Sequence, residues 1–357
     1  MNSATIIIII INIICVIAQA ITMPLFIDSF TSKPEPYFVI LYSVISQILL
    51  SLLFFFRQIK TLCNINLGNH IKLFVLSIFW TVSFMFTTFA GSASRTPPDV
   101  QTIIFQLFFP ITFLLNIIRK QYSDKQKIAI LIIFLGISVA NIPMYISIGT
   151  GEIDTSNIIW IIVYTIGIFM SVCSNIIQET KLHEITTVQI IFWCNLYQLI
   201  LSVLLFWINI VPNIGSYDTI DKWAYDFKKS IICNFHDCPH TWYLGLLNSI
   251  SMMIACLTQI YLVKNIGTNS VGIIASICAP LIIISWFFIK NTQLYRLIIE
   301  IIGILVIIYG FYKYTKEGNI YEFADDVRLL YREIDNDGAG QEGVPNNVID
   351  MQIHGEM

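Results

Sequence analysis

Long apolar stretches alternate with short polar segments along most of this sequence. Ten of the stretches contain roughly 20 residues each, the length that a helix needs to cross the hydrocarbon core of a bilayer. The pattern therefore predicts an all-α membrane protein with ten transmembrane helices. The predicted spans are residues 5–27, 37–56, 70–91, 98–118, 126–146, 157–177, 187–207, 242–263, 267–289 and 294–312.

Composition narrows the class of protein further. Hydrophobic residues make up 56 % of the chain and charged residues 12 %, whereas an average soluble domain is about 25 % charged. No polar segment is long enough to form a soluble catalytic domain, and no basic region supports binding to nucleic acid. The expected surroundings are a lipid bilayer, and no nucleic-acid partner is expected.

The charged residues predict which parts of the chain face the cytosol. The face that holds both termini carries 13 Lys and Arg, and the short loops of the opposite face carry 4, so both termini are predicted to be cytosolic. Residues 314–357 contain 3 Lys and Arg against 10 Asp and Glu, which predicts an acidic, disordered cytosolic tail. In the long non-cytosolic loop, 209–241, residues 217–232 form either a short helix on the membrane surface or an irregular loop.

The ten spans divide into two copies of a five-span unit, residues 1–147 and 148–313. Pro110 in span four and Pro280 in span nine each lie near mid-span, before a strongly apolar run. Because five is odd, the second copy must insert upside down, which makes the units an inverted repeat. The prolines are predicted to bend their helices near a substrate site, although membrane helices often carry prolines without such a role. The spans that follow them carry Gly136, Gly303 and Gly310.

Amide and hydroxyl side chains recur within six of the spans, although such groups are costly where they face lipid. For any one of them, a hydrogen bond between neighbouring helices is a sufficient explanation. As a set, they predict a hydrated cavity supplied mainly by spans one, three, four, six, seven and eight. The candidate cavity residues are Gln19, Thr96, Gln106, Asn175, Asn195, Gln198 and Asn248.

An inverted repeat around a polar cavity predicts a secondary transporter that works by alternating access. Arg95, Asp99 and Glu179 are candidates for proton coupling, and each could instead be an ordinary charge at a helix end. The spans contain no paired Asp, no His–Glu metal set and no activated serine, so neither an enzyme nor a cofactor is expected. The expected partner is a small-molecule solute, and the protein is a monomer or a homodimer.

Two cysteines, Cys233 and Cys238, lie in the long non-cytosolic loop. That side of the membrane is oxidising when the protein is made, so a disulfide between them is expected. A metal site that also uses His236 and His240 is the alternative, but the spacing matches no standard zinc pattern.

Several short motifs follow one another along the chain in a recognisable order. They are Ser94-Arg95-Thr96, Gln101, Gln106-Leu107 and Pro110-Ile111 at span four, the segment 175–184 after span six, Tyr197-Gln198-Leu199 in span seven, Asp237-Cys238 and Trp242 before span eight, and 267–280 in span nine. Together with the ten spans and the long loop, they resemble the chloroquine-resistance transporter family of the drug/metabolite transporter superfamily. The resemblance covers residues 92–312.

This resemblance implies the drug/metabolite transporter fold and residence in a digestive-vacuole, lysosome-like or plastid membrane. It also implies export of amino acids, small peptides, thiols or cationic compounds from the lumen, with one disulfide where the best-known members have two. A nucleotide-sugar or triose-phosphate carrier is the alternative within the superfamily, although the span centres lack the Lys and Arg that phosphates require. A membrane receptor or a structural protein is the alternative from another class.

Replacing either loop cysteine by serine is expected to have the same effect, because each change leaves the partner sulfur unpaired. Electrophoresis of Cys233→Ser and Cys238→Ser with and without reductant measures this effect. Only the wild-type protein is expected to change its mobility on reduction. A mobility shift that persists in both variants would contradict the bridge.

Overall fold

The computed structural model of the chain describes residues 3–30, 36–56, 62, 64–91, 95–96, 98–117, 122–142, 146, 158–182, 184–211, 217, 219–290 and 298–316. Within these ranges the regular structure is helical and includes no strand, which confirms the all-α prediction. The predicted boundary between the repeats at 147–148 and the predicted tail beyond residue 316 lie outside the described residues.

Capping boxes at Ser123–Gln126 and Thr186–Gln189 fix the first turns of two of the helices. The helices are α1 Ser3–Asp28, α2 Pro36–Phe54, α3 Leu67–Ala90, α4 Pro98–Gln106, α5 Phe108–Ile117, α6 Asp124–Ala140, α7 Ile158–Lys181, α8 Thr187–Leu204, α9 Ile220–Ile232, α10 Thr241–Lys290 and α11 Ile298–Lys316. A 3₁₀ turn, Phe206–Ile210, follows α8, and a π turn, Cys233–Asp237, follows α9.

Seven of the described helices are long and apolar enough to cross a membrane. They are α1, α2, α3, α7, α8, the Thr241–Ile282 part of α10, and α11. The chain is therefore a multi-pass membrane protein. Predicted span four is divided between α4 and α5, span five corresponds to the 17-residue α6, and spans eight and nine fall within the single run of α10.

The helices bury polar side chains and expose apolar ones. Asn12 is 4 % exposed, Gln47 is 2 % exposed and Asn116 is fully buried, whereas Leu49 and Leu131 are 61 % and 66 % exposed. Hydrocarbon offers no hydrogen-bonding partner, so amides are driven inward and leucines can remain outside. This distribution of side chains suits a surface that faces lipid.

A single glycine interrupts α10. Gly267 has φ 77° and ψ 164°, a left-handed extended conformation that is outside the helical region and that glycine adopts without steric cost. The interruption divides α10 into the segments 241–266 and 268–290, and it lies where spans eight and nine were predicted to meet.

A second interruption separates α4 from α5 at Leu107, almost one turn before Pro110. Pro110 has no N–H group to donate to the carbonyl of Gln106, so one helical hydrogen bond is missing at this point. Pro280 differs, because the 268–290 segment continues through it and the nearby interruption lies at Gly267. The two prolines predicted to bend their helices therefore occupy different local structures.

The segments of α10 pack antiparallel to two other helices. Along α1, Asn12 Nδ2 donates to the Ala255 carbonyl at 3.1 Å, and near the other end Ser29 Oγ donates to Thr241 Oγ1 at 3.0 Å. The 268–290 segment packs in the same way along α5. Elsewhere in the bundle, α3 packs along α7 and α2 packs along α8.

The long loop contains helix α9, so the helical alternative for residues 217–232 is the one observed. The rings of Trp223 and Phe227 stack with their centres 5.2 Å apart. The Tyr37 ring lies 6.1 Å from that of Trp223 and the Phe38 ring lies 6.0 Å from that of Phe227, so α9 rests on the start of α2.

The turn after α9 holds the two loop cysteines. Their sulfur atoms lie at disulfide distance, with the Cα atoms of Cys233 and Cys238 4.8 Å apart. Within the described residues, no group of His, Cys, Asp and Glu side chains is arranged to hold a metal ion. The geometry therefore agrees with a disulfide rather than with the metal alternative.

Helices α6 and α11 meet through the glycines noted in their sequences. A Cβ atom on Gly136 would lie 2.9 Å from the backbone nitrogen of Ile307, and one on Gly303 would lie 2.7 Å from the backbone nitrogen of Ala140. Gly310 extends the same contact by one more turn of helix. Small residues are required here because the two backbones approach so closely.

Adding one methyl group at Gly303 is expected to push α6 and α11 apart. The Cβ atom of Gly303→Ala would overlap with backbone that cannot move aside, so we expect a loss of about 1–3 kcal/mol in stability. Thermal unfolding of the purified protein measures this loss. Gly68→Ala is the matched control, because its Cβ would lie 3.7 Å from the nearest atom. Equal unfolding temperatures for the two variants would refute the close packing.

Candidate functional site

A polar cavity of about 170 Å³ lies between α2, α3, α7, α8 and the 241–266 segment. At about 30 Å³ per water molecule, this volume corresponds to roughly five or six waters, or to one small solute. The lining residues are Gln47, Trp80, Ser83, Phe84, Thr87, Ser171, Ser174, Asn175, Gln178, Asn195, Gln198, Met252, Cys256, Gln259 and Ile260.

Two helices reach the cavity with the same periodicity. On α3 and on α7, the lining positions are spaced i, i+3, i+4 and i+7, which places each set on one helical face. These sets are Trp80, Ser83, Phe84 and Thr87 on α3, and Ser171, Ser174, Asn175 and Gln178 on α7. Since α3 and α7 pack along each other, the two stripes lie on neighbouring walls of the cavity.

Asn175 organises the amides on the α7 side. Its Oδ1 atom accepts a hydrogen bond from Gln259 Nε2 at 3.2 Å and a long one from Gln178 Nε2 at 3.5 Å. The Nδ2 atom of Asn175 and the Oε1 atom of Gln178 are buried without a hydrogen-bond partner among the described residues. A buried polar atom without a partner costs about 1–3 kcal/mol, so one donor and one acceptor here are available to a bound molecule.

Asn195 and Gln198 supply the amides on the α8 side. The two side chains are 6 % and 5 % exposed and are spaced i, i+3, so both point to one face of α8. In the part of the chain that the structure describes, neither side chain forms a hydrogen bond. Both amides therefore present their full donor and acceptor capacity to the cavity.

The described wall of the cavity is uncharged. Its lining includes six carboxamides and four hydroxyls, but no Asp, Glu, Lys, Arg or His. One of the carboxamides, Gln47, also joins two helices, because its Nε2 atom donates to the carbonyl of Ser249 at 3.2 Å. The cavity can thus form many hydrogen bonds, but it cannot neutralise an ion with a side chain of opposite charge.

A separate polar cluster lies beside the interruption at Gly267. Asn116 Nδ2 donates to Thr268 Oγ1 and to Asn269 Oδ1, each at 2.8 Å. Thr268 Oγ1 in turn donates to Glu179 Oε2 at 2.7 Å. Glu179, one of the coupling candidates, therefore belongs to a cluster that ties α5 and α7 to the start of the 268–290 segment.

Arg95, the second coupling candidate, lies between α3 and α4. Its guanidinium group is 3.9 Å from the centre of the Trp160 ring and donates to the Phe89 carbonyl at 2.9 Å. Burial lowers the pKa of Arg95 from its usual value. The contact ties the end of α3 to the start of α7. The side chain of Asp99, the third candidate, lies outside the described part of the chain.

Three of the seven predicted cavity residues, Asn175, Asn195 and Gln198, come together at this cavity. They lie on α7 and α8, two of the helices from which a polar lining was predicted. This part of the candidate site follows directly from helical periodicity, since amides on one face of adjacent helices converge.

The other four predicted residues, Gln19, Thr96, Gln106 and Asn248, do not line this cavity. Asn248 Oδ1 accepts from Thr22 Oγ1 at 3.3 Å, and Gln106 Oε1 accepts from Asn141 Nδ2. Asn248 therefore joins span eight to span one, and Gln106 joins α4 to the end of α6, which is the alternative that the sequence had left open.

Gln47, Trp80 and Phe84 are among the lining residues that the sequence analysis did not predict. Gln47 is the only amide within α2, which is otherwise strongly apolar, and that isolation was a usable signal. Trp80 and Phe84 gave no such signal, because aromatic residues in a membrane helix are as compatible with lipid as with a cavity.

No known protein-family profile and no curated protein matches this sequence. Among solved structures, the chain is similar to one described only as "Crystal structure of protein", with 12 % sequence identity and a TM-score of 0.60. The match covers 88 % of this chain and 98 % of that chain. At this level of identity, the likeness concerns the fold alone.

Two asparagines are expected to respond differently to replacement by leucine. Asn116→Leu leaves the buried Oδ1 atom of Asn269 without its donor, so we expect a loss of about 1–3 kcal/mol in stability. Asn195→Leu removes a side chain that has no described partner, and we expect the unfolding temperature to stay close to that of the wild-type protein. Thermal unfolding of both variants measures the difference, and a greater loss at Asn195 would contradict the distinction.

Proposed function

We propose that this protein is a secondary transporter that moves small organic solutes across a membrane by alternating access. The observation that carries the proposal is an uncharged, amide-lined cavity inside a multi-pass helical bundle. Two buried amide atoms without described partners, Asn175 Nδ2 and Gln178 Oε1, belong to this lining, and such atoms lower stability unless a bound molecule satisfies them. A purely structural membrane protein has no use for such a cavity.

The proposed architecture has ten spans in two inverted repeats. In this assignment α4 and α5 form span four, α6 forms span five, the 241–266 and 268–290 segments form spans eight and nine, and α11 forms span ten. The interruption at Gly267 supports the separation of spans eight and nine, because no continuous helix bridges that point.

The pattern of helix contacts supports the inverted repeat as well. In such a repeat, each span of the first half corresponds to the span five places later, so span one corresponds to span six and span three to span eight. A contact between spans one and eight then requires a matching contact between spans three and six. Both are present, as α1 with 241–266 and as α3 with α7. The same correspondence maps each of the pairs two–seven, four–nine and five–ten onto itself. In each pair the two spans contact each other.

The cavity lies between the two proposed halves. Spans two and three of the first half supply Gln47 and Trp80, and spans six, seven and eight of the second half supply Asn175, Asn195 and Gln259. In inverted-repeat transporters, one half rocks against the other around a site near the midplane. A cavity lined by both halves would therefore open to one side and then to the other during such a motion.

The chloroquine-resistance transporter family and a vacuolar or lysosome-like membrane are the proposed family and location. The motif order along residues 92–312 supports this assignment, and so does the disulfide-bearing loop before span eight. Export from an acidic lumen, with both termini in the cytosol, is the corresponding direction and orientation. Such export would maintain nutrient supply and osmotic balance. A phosphate-bearing substrate is disfavoured, because no Lys or Arg lines the described cavity.

Uptake into vesicles that contain the purified protein tests the proposal. The vesicles carry an inside-acid gradient, an outside-acid gradient or none, and the panel holds amino acids, short peptides, glutathione, a cationic drug, a neutral sugar and UDP-sugars. We expect saturable movement of at least one solute other than the UDP-sugars. Movement of UDP-sugars alone would assign the chain to the nucleotide-sugar carriers, and no movement of any solute would refute transport.

The cavity variant Asn195→Leu links transport to the site. Losing one hydrogen bond to the bound solute is expected to reduce the initial uptake rate by about tenfold at low solute concentration. The matched control is Asn265→Leu, because the side chain of Asn265 is exposed and bonds only to its own helix. Equal uptake by both variants would remove Asn195 from the transport site.

A further inference from the structure

We infer that the solute held in this cavity is uncharged and rich in hydroxyl groups, such as a polyol or a monosaccharide. The inference rests on the proposed transport function and specifies the chemical class of its substrate, in place of the charged and zwitterionic solutes that the family resemblance implies. It follows from three properties of the described lining: unpaired carboxamides, the lack of charge, and an aromatic surface next to the amides.

The carboxamides match hydroxyl groups in hydrogen-bonding capacity. A hydroxyl both donates and accepts, and a carboxamide offers an N–H donor beside a C=O acceptor. The cavity presents an unpaired donor at Asn175 Nδ2, an unpaired acceptor at Gln178 Oε1, and both functions at Asn195 and Gln198. A chain or ring of neighbouring hydroxyls can satisfy such alternating donors and acceptors at several points.

The lack of charged side chains disfavours a tightly held ion. An ion that leaves water for a buried site loses its hydration, and only an opposite charge or several oriented dipoles can compensate for that loss. No charged side chain lines the described wall. The helix ends created at Leu107 and Gly267 are not among the lining residues either, so their dipoles do not point into the cavity at close range.

Aromatic and apolar side chains of the lining match the apolar parts of such a solute. Trp80 and Phe84 lie one helical turn apart on α3, beside Ser83 and within the same lining. The C–H face of a sugar or a polyol is apolar and packs favourably on an aromatic ring, while its hydroxyls point to the sides. A surface that combines amides with Trp80 therefore suits a solute that has both hydroxyl groups and an apolar C–H face.

The size of the cavity suits a small solute. Its volume of about 170 Å³ is smaller than the roughly 300–1,000 Å³ of pockets that hold drug-sized ligands. A six-carbon polyol or a single sugar ring is of suitable size for this cavity.

Equilibrium binding of radiolabelled sorbitol, myo-inositol and D-glucose to the purified full-length protein tests the inference. We expect saturable binding of at least one of them. Competition then uses N-methylglucamine and gluconate, which keep the six-carbon polyol chain but carry a positive or a negative charge. Each is expected to compete at least about tenfold more weakly than sorbitol, the factor for about 1.4 kcal/mol. Failure of all three labelled solutes to bind, or equal competition by a charged analogue, would overturn the inference.

A charged variant of the cavity provides a second test on the same protein. Gln198→Glu keeps the shape of the side chain and adds a carboxylate, so it should weaken sorbitol binding and strengthen N-methylglucamine binding. Asn195→Asp makes the same change one turn away and serves if the first variant does not fold. Asn265→Asp, at an exposed site outside the cavity, should change neither affinity. An unchanged preference in both folded cavity variants would show that the polyol binds elsewhere.

The outcomes separate this inference from the proposed function. Transport of amino acids, peptides or a cationic drug, without binding of any neutral polyol, would support a transporter and overturn the substrate class. Polyol binding that depends on Gln198, in a protein that moves no solute into vesicles, would support the site chemistry and refute transport.

Discussion

Hydrocarbon contains no hydrogen-bond donor or acceptor, and this constraint governs how the whole bundle is arranged. Each amide in a span must find a partner on another helix, meet a water-filled space, or lower the stability of the fold. Asn12 and Asn116 illustrate the first solution, because their side chains join helices that are distant in sequence. The cavity illustrates the second, and the exposed leucines and isoleucines show that polar groups have been withdrawn from the outer surface.

The same constraint separates amides that hold the structure together from amides that are available for binding. Asn116 is paired, and its removal would strand a neighbour, whereas Asn195 is buried without a described partner. Both residues look alike in the sequence, since each is an asparagine in an apolar run. Asn195 is therefore available for binding because it is buried at the cavity without a described partner.

The sequence was sufficient for the helical class, for the positions of most helices and for the cysteine pair, because these depend on local pattern. The cavity face of α7 was also predictable, since periodicity alone places Asn175 and Gln178 on one side. The partner of Gln106 was not predictable, because Asn141 lies 35 residues away and only tertiary packing brings the two together. Likewise, the two mid-span prolines look equivalent in the sequence, yet the helix is interrupted beside Pro110 and continues through Pro280.

The uncharged lining also affects how a transport cycle would respond to membrane voltage. A single elementary charge that crosses a potential of 100 mV exchanges about 2.3 kcal/mol with the electric field. A neutral solute in a cavity whose described side chains are all neutral carries no such charge during its crossing. Voltage would then neither drive nor oppose that step, and accumulation would have to draw on the solute's own gradient or on an ion that is carried by another part of the protein.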